Sequence, residues 1–190
     1  MESLKAYLNA ISPLQEHTWQ AIQPHFSYSA LPKGAYYIQE GQIAKEFALL
    51  QKGVVRAFHR NRDGSEYNKR FFTCPSMIGS YASLITGTPS LFTQQALTDC
   101  QILKADYATI SSLYLIYPDL ERLARKFAEN YFVENEKKEV EIVVLNADER
   151  YLQFQKDYPG LEQQISQYHI ASFLGITPTQ LSRIRRKLLS

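Results

Sequence analysis

The chain is poor in cysteine and histidine and has no long apolar run. Cys74 and Cys100 stand far apart, with no CxxC pair and no histidine beside them. A structural zinc or iron–sulfur site gathers about four ligands in close local pairs, so no metal is expected. Both thiols are expected reduced and buried. His17, His25, His59 and His169 are scattered singly, and only His59 falls in strand-like sequence. A metal-dependent jelly-roll enzyme of the cupin kind needs several together, and no nucleophile–base pair or phosphate loop stands out; no enzyme is expected. Nothing approaches the ~20 apolar residues of a membrane helix. The start, Met1-Glu2-Ser3-Leu4-Lys5, lacks the basic and then apolar character of a secretory leader. The expectation is a cytoplasmic protein without a membrane partner. With 45% hydrophobic and 21% charged residues, a disordered chain, a collagen-like repeat and a coiled-coil rod are excluded. A length of 190 residues fits one large domain or two small ones.

The formal net charge is only +2, but the charges are unevenly placed. Glu134, Glu136, Glu139, Glu141, Asp148 and Glu149 face only Lys137 and Lys138, whereas Thr177–Ser190 holds Arg183, Arg185, Arg186 and Lys187 with no acid. A cationic chain end is either a solvated face or the footprint of phosphate binding.

Local patterns divide the chain further. The first 25 residues read as helical, with Ser12-Pro13-Leu14-Gln15 as a cap and a first-turn proline. From Phe26 to Asp106, short runs of Val, Ile, Phe, Tyr and Thr are broken by Pro32-Lys33-Gly34, Glu40-Gly41, Lys52-Gly53, Asp63-Gly64, Pro75, Gly79 and Gly87-Thr88-Pro89. This spacing predicts a β-sandwich or roll, with a hairpin at Asp63-Gly64 between Val54–Arg60 and Tyr67–Phe72. After a helical Tyr107–Tyr117, a long helix is predicted from Pro118 to about Leu145, ended by the cap Asn146. Leu120, Leu123, Ala124, Phe127, Tyr131 and Phe132 recur at helical spacing, and the stripe resumes at Val140, Val143 and Val144. Such a stripe lies on the β-domain or pairs two protomers, and the length favours a homodimer through Leu120–Leu145.

The strongest signal lies in Gln167–Arg186. Ser166 can cap a helix bearing Ile170, Ala171 and Leu174, Gly175 permits a tight turn around Ile176, and Thr177-Pro178 opens a second helix lined by Leu181, Ile184 and Leu188. An ordinary helical hairpin shares this spacing. It does not require the Ala–Gly pair or an all-cationic outer face, so a DNA-binding helix-turn-helix is the preferred reading. At about 100° per residue, Thr179, Arg183 and Arg186 point away from the buried side, with Ser182 beside them. Arg183 is the candidate base reader, because a guanidinium can bond guanine O6 and N7 together. Gln180 and Lys187 flank this face as phosphate contacts. Arg185 lies nearer the buried side, and the open helix start at Thr177–Thr179 favours an anion.

In this order of elements the chain resembles the catabolite activator/FNR (Crp/Fnr) family of bacterial transcription regulators. Lys33-Gly34, Glu40-Gly41, Lys52-Gly53-Val54-Val55, Asp63-Gly64 and Met77-Ile78-Gly79 resemble its cyclic-nucleotide-binding β-roll, and Ile170–Ile184 resembles its DNA-reading signature, Arg183 included. The resemblance implies an α+β fold: N-terminal helices and an antiparallel β-roll that senses an effector (1–117), a long dimerisation helix (118–146), and a helix-turn-helix domain (147–190). It implies double-stranded DNA with a palindromic operator, a second copy of the chain, and RNA polymerase as partners. The effector pocket would be drawn from Gly79, Ser80, Tyr81, Ala82, Ser83, Ser90, Leu91, Phe92, Thr93 and Gln94. Family members that bind cyclic AMP carry a ribose-binding glutamate and a phosphate-binding arginine in this stretch, whereas here no Glu and no Arg occurs between Gly79 and Asp99. Cyclic AMP is therefore expected to bind weakly or not at all, unless Lys69 or Arg70 on a neighbouring strand supplies the charge. The effector stays unassigned and no cofactor is expected. The other reading is a cyclic-nucleotide-binding regulatory module whose C-terminal helices bind a protein.

Overall fold

A computed structural model describes residues 1–189; Ser190, the last residue of the expected DNA-binding segment, lies outside the described residues. Two helices, α1 (Glu2–Ile11) and α2 (Glu16–Ile22), precede eight strands: β1 (Ser27–Leu31), β2 (Tyr36–Ile38), β3 (Glu46–Lys52), β4 (Val54–Arg60), β5 (Glu66–Thr73), β6 (Ser76–Ile78), β7 (Thr93–Ala96) and β8 (Cys100–Asp106). They form two antiparallel four-stranded sheets, ordered β1-β8-β3-β6 and β2-β7-β4-β5. A short helix α3 (Tyr81–Thr86) interrupts the roll between β6 and β7. Then follow α4 (Tyr107–Ser112), the long α5 (Pro118–Val144), α6 (Ala147–Asp157), α7 (Gln167–Leu174) and α8 (Pro178–Leu189). The expected α+β class and roll are the observed ones.

Between the sheets, Leu31, Ala48, Leu50, Val55, Ile78, Ala96, Cys100 and Ile102 form an apolar layer. Cys100 is buried there, but Cys74 is exposed, against expectation. Its Sγ lies 2.8 Å from the Gln51 carbonyl oxygen. On the outer side of the first sheet, Leu4, Leu8, Trp19 and Ile22 of the N-terminal helices pack with Leu49, Leu103, Ile110, Leu120 and Leu123. The Ser12-Pro13 start is not where α2 begins. Ser12 ends α1 and Gln15 caps α2, because two backbone donors find partners elsewhere. Leu14 N donates to Asn9 Oδ1 and Gln15 N to Asp119 Oδ2, at 2.9 and 2.8 Å. Burial opposes the charge of Asp119. The Gln15 amide and the Thr18 hydroxyl outweigh it and hold the pKa below the ordinary carboxylate value.

The predicted hairpin of β4 and β5 is present, joined by the loop Asn61–Ser65. Its register shifts between Ala57 and Phe58, whose partners are Arg70 and Asn68, so Lys69 is an extra residue in a β-bulge. Asn146 caps α6 as predicted, in a reciprocal capping box with Glu149. The apolar stripe of α5 divides between two faces. Leu120 and Leu123 are buried against the chain's own roll, so they are not free to pair protomers. Phe132, Val133, Val140, Val143 and Val144 remain exposed, and at about 100° per residue they lie away from that packed side.

Candidate functional site

The C-terminal helices carry the first group of predicted residues. Ser166 Oγ accepts from Tyr168 N at 3.2 Å and starts α7, and Gly175 ends it at φ +67°, a conformation open to glycine at little steric cost. Three residues, Gly175–Thr177, join α7 to α8. Ile170, Ala171, Leu174, Leu181 and Ile184 are buried together as predicted, whereas Leu188 is exposed. Thr177, Thr179, Gln180, Ser182, Arg183, Arg186 and Lys187 are all exposed. The helix start is tied locally: Gln180 Oε1 accepts from Thr177 N at 2.9 Å, and Gln180 N donates to Thr177 Oγ1 at 3.2 Å. Arg183 and Arg186 have no carboxylate partner among the described residues. Arg185 Nε lies 3.8 Å from Glu162 Oε1, and Lys187 Nζ is 2.6 Å from Asp148 Oδ2. The cations beside the outward face are thus partly neutralised, and those on it are not.

The predicted pocket residues separate into two sets. Gly79, Tyr81 and Phe92 line a cavity of about 530 Å³ between the roll, α5 and the end of α6. Ser80, Ser83, Ser90 and Gln94 are buried and hydrogen-bonded to the protein. Ser90 Oγ donates to the Phe92 carbonyl (2.8 Å) and accepts from Ser80 Oγ (3.0 Å). Ser83 Oγ accepts from Ala44 N and donates to the Thr88 carbonyl. The Gln94 carboxamide accepts from Gly79 N and donates to Gly79 O, and Thr93 Oγ1 accepts from Glu40 N. Ala82 is exposed, and Leu91 turns outward, 72% exposed, instead of lining a pocket. The loop's polar side chains are occupied by nearby backbone groups and, for Ser80 and Ser90, by one another.

The cavity's charged lining residues are Lys69 and Arg70 on β5, Glu134 and Lys138 on α5, and Asp157 on α6. Tyr81, Phe92, Phe127 and Tyr131 line the cavity as well. Arg70 sits over the Tyr131 ring at 5.0 Å and reaches Asn135 Oδ1 at 3.4 Å; Lys69 Nζ lies 5.5 Å from the Phe92 ring centre. Neither has a carboxylate partner among the described residues. Burial pushes the pKa of Tyr7, Tyr81, Tyr107 and Tyr114 upward, so these wall phenols stay neutral. At one end of the cavity, Lys138 on α5 bonds Asp157 on α6 and Glu141.

The opposite side of the same hairpin holds α7, a junction absent from the sequence reading. Asn68 N donates to Ser172 Oγ (3.1 Å), Asn68 Nδ2 to His169 O (3.0 Å), and Ser172 Oγ to Glu66 O (2.5 Å). Arg56, 4% exposed, pairs with Glu66 Oε2 at 2.6 Å, donates to Gln95 Oε1 and approaches His169 Nδ1 at 3.3 Å. Burial, together with Arg56, pushes the His169 imidazole down to about 4, although Glu66 opposes this. Phe71 is packed among Phe154, Tyr158 and Phe173, so the roll and the C-terminal helices share one apolar cluster. A lone arginine inside Val54–Phe58 was the available signal. Arg150 completes the frame: its guanidinium donates to Leu145 O, at the end of α5, and to Leu174 O, at the end of α7, at 2.7 and 3.1 Å.

Residues 29–117 match the family model of the cyclic nucleotide-binding domain. The fold is that of solved regulators. It resembles the c-di-GMP-responsive global regulator CLP of Xanthomonas campestris (TM-score 0.72, 15% identity, 92% of each chain covered). It also resembles FixK2 of Bradyrhizobium japonicum (TM-score 0.71, 17% identity, 86% of this chain and 84% of that one). The third is the catabolite activator protein of Thermus thermophilus (TM-score 0.59, 18% identity, 94% and 85%). No curated protein matches the chain in sequence. No helix among the described residues is long and apolar enough to cross a membrane.

Proposed function

We propose that the chain is a dimeric DNA-binding transcription regulator of the Crp/Fnr type with a repurposed effector pocket. The observation that carries this reading is the outward face of α8: Thr179, Ser182, Arg183 and Arg186 are exposed together over buried Leu181 and Ile184. Arg183 reads a base, Arg186 and Lys187 meet phosphates, and α7 braces the reading helix from the roll. Phe132, Val133, Val140, Val143 and Val144 form the seam between two copies. Their recognition helices then lie about 34 Å apart, one turn of DNA, which makes the operator palindromic. RNA polymerase is the further partner this reading implies. Weak or no binding of cyclic AMP remains the reading, since the loop's serines and Gln94 are bonded internally and carry no charge; Lys69 and Arg70, which line the cavity from β5, are the route by which a cyclic phosphate would be held.

Selection of bound sequences from a random duplex pool, followed by titration at several salt concentrations, tests the proposal. The expected result is a palindromic consensus and a log–log salt slope of about −0.9 for each phosphate contacted. A chain that enriches no sequence and binds duplex without salt dependence is not a DNA reader. The match of residues 29–117 to a cyclic nucleotide-binding domain favours the second reading in that event, a sensor module whose C-terminal helices bind a protein.

A further inference from the structure

The cavity between the roll and α5 has the wrong chemistry for a nucleotide. A ribose phosphate needs donors and acceptors along its length, and the loop's polar side chains are already satisfied by Gly79, Phe92, Thr88 and one another. What the cavity offers is a largely aromatic and aliphatic wall with two cations at one place, Lys69 and Arg70; of its other charged lining residues Lys138 and Asp157 are paired with each other, and Glu134 is the remaining acid. Adjacent residues of a regular strand point to opposite faces. The bulge at Lys69 interrupts that alternation, and both cations line the cavity, as Phe71 also does, while Asn68 bonds α7 and Phe71 packs on Phe154 of α6. Bulges commonly re-aim side chains at functional sites.

We propose that the effector is an organic carboxylate with an apolar body, its carboxylate bound by Arg70 and Lys69 and its body lying among Tyr81, Phe92, Phe127 and Tyr131. The inference rests on the regulator reading above and adds the chemical class of its ligand. An arginine fork fits a carboxylate with two parallel bonds, and its surroundings here are less polar than water, which strengthens them. A cavity of about 530 Å³ lies within the range of sites for small organic molecules. Carboxylate binding would act on the strand that holds α7, since Arg70 and Asn68 flank the bulge residue.

Calorimetry on the full chain with decanoate, 4-phenylbutyrate and their primary amides tests this. At least one acid is expected to bind about tenfold or more tighter than its amide, as charge-assisted bonds imply. Arg70→Gln and Lys69→Gln should each shrink that preference while leaving amide binding in place. Equal binding of acid and amide to the wild-type chain overturns the proposal, whether or not the variants fold. So does failure of both acids to saturate at millimolar concentration, or a micromolar dissociation constant for cyclic AMP. Duplex binding measured without acid separates the two levels. Intact, salt-dependent DNA binding with no acid preference removes only the ligand class, and loss of DNA binding with the preference intact removes only the regulator.

Discussion

Acidification is expected to loosen the attachment of α7 to the roll through His169. The imidazole Nδ1 faces Arg56 Nη1 at 3.3 Å, so the fit requires Nδ1 to be an unprotonated acceptor. The groups facing it are Arg56 on β4, which disfavours a second positive charge, and Glu66 on β5, which favours it and is already paired with Arg56. In the unfolded chain the ring titrates at its ordinary value of 6.5, and in the fold at about 4. Above pH 6.5 both states are neutral and there is no loss. As the pH falls toward 4 the unfolded chain takes up the proton first, so stability drops across this window and then levels off. At 1.36 kcal/mol per unit, the full displacement would be worth about 3 kcal/mol. His169 is only partly buried, so solvent screening reduces this to about 1–2 kcal/mol. His169→Asn keeps an acceptor near the Nδ1 position and cannot take up the proton. Chemical denaturation of both proteins from pH 7.5 to 4 should show wild type losing about 1–2 kcal/mol relative to the variant, and the ring resonance should titrate near 4. A constant stability difference, or a ring midpoint near 6.5, refutes the argument.

Arg183→Ala should lower discrimination at one base position by about 1–3 kcal/mol, whereas Lys187→Ala should weaken all sequences alike; competition binding with single-base operator variants distinguishes them. Gly53→Ala places a Cβ 2.6 Å from Cys100 Sγ and 2.7 Å from Asp99 O at a φ of +97°. The strain and clash should cost about 2–4 kcal/mol in denaturant unfolding. Phe71→Ala empties the contact shared by Phe154, Tyr158 and Phe173 and should cost about 3–5 kcal/mol, with proteolysis starting within residues 147–189. Val143→Glu puts a charge on the exposed seam of α5 and should yield monomers by sedimentation without lowering the unfolding temperature of the single chain.

What could be read in advance followed from local chemistry. The Asn146 cap, the Gly175 turn and the Asp63-Gly64 hairpin each depend on residues within a few positions of one another, and all are present. The N-terminal cap was misplaced because Asp119, distant in sequence, claims Gln15 N and so decides where α2 begins. The stripe on α5 concealed two faces, since periodicity reports an apolar side without saying what it meets. The pocket was sought where the resemblance put it, with Lys69 or Arg70 of a neighbouring strand as the other source of charge, and both line the cavity from β5. A bulge has no sequence signature here, and only pairing with β4 reveals that Lys69 and Arg70 share a side. Likewise, Arg56 was visible as a charge in an apolar strand, but its partner His169 comes from the far end of the chain.

Arg150 gives the C-terminal pair a mechanical link to the long helix. The 27 residues of α5 span about 40 Å at 1.5 Å per residue. With Leu120 and Leu123 fixed on the roll, a tilt of about 5° displaces the far end by about 3.5 Å over that length. The carbonyl at that end shares a single rigid, planar group with the carbonyl that closes α7. A guanidinium cannot stretch, so α5 and α7 must move together or one of its bonds must break. The long helix is then a lever arm and Arg150 its pin, and an adjustment of a fraction of an ångström beside the cavity is magnified before it reaches the C-terminal helix pair.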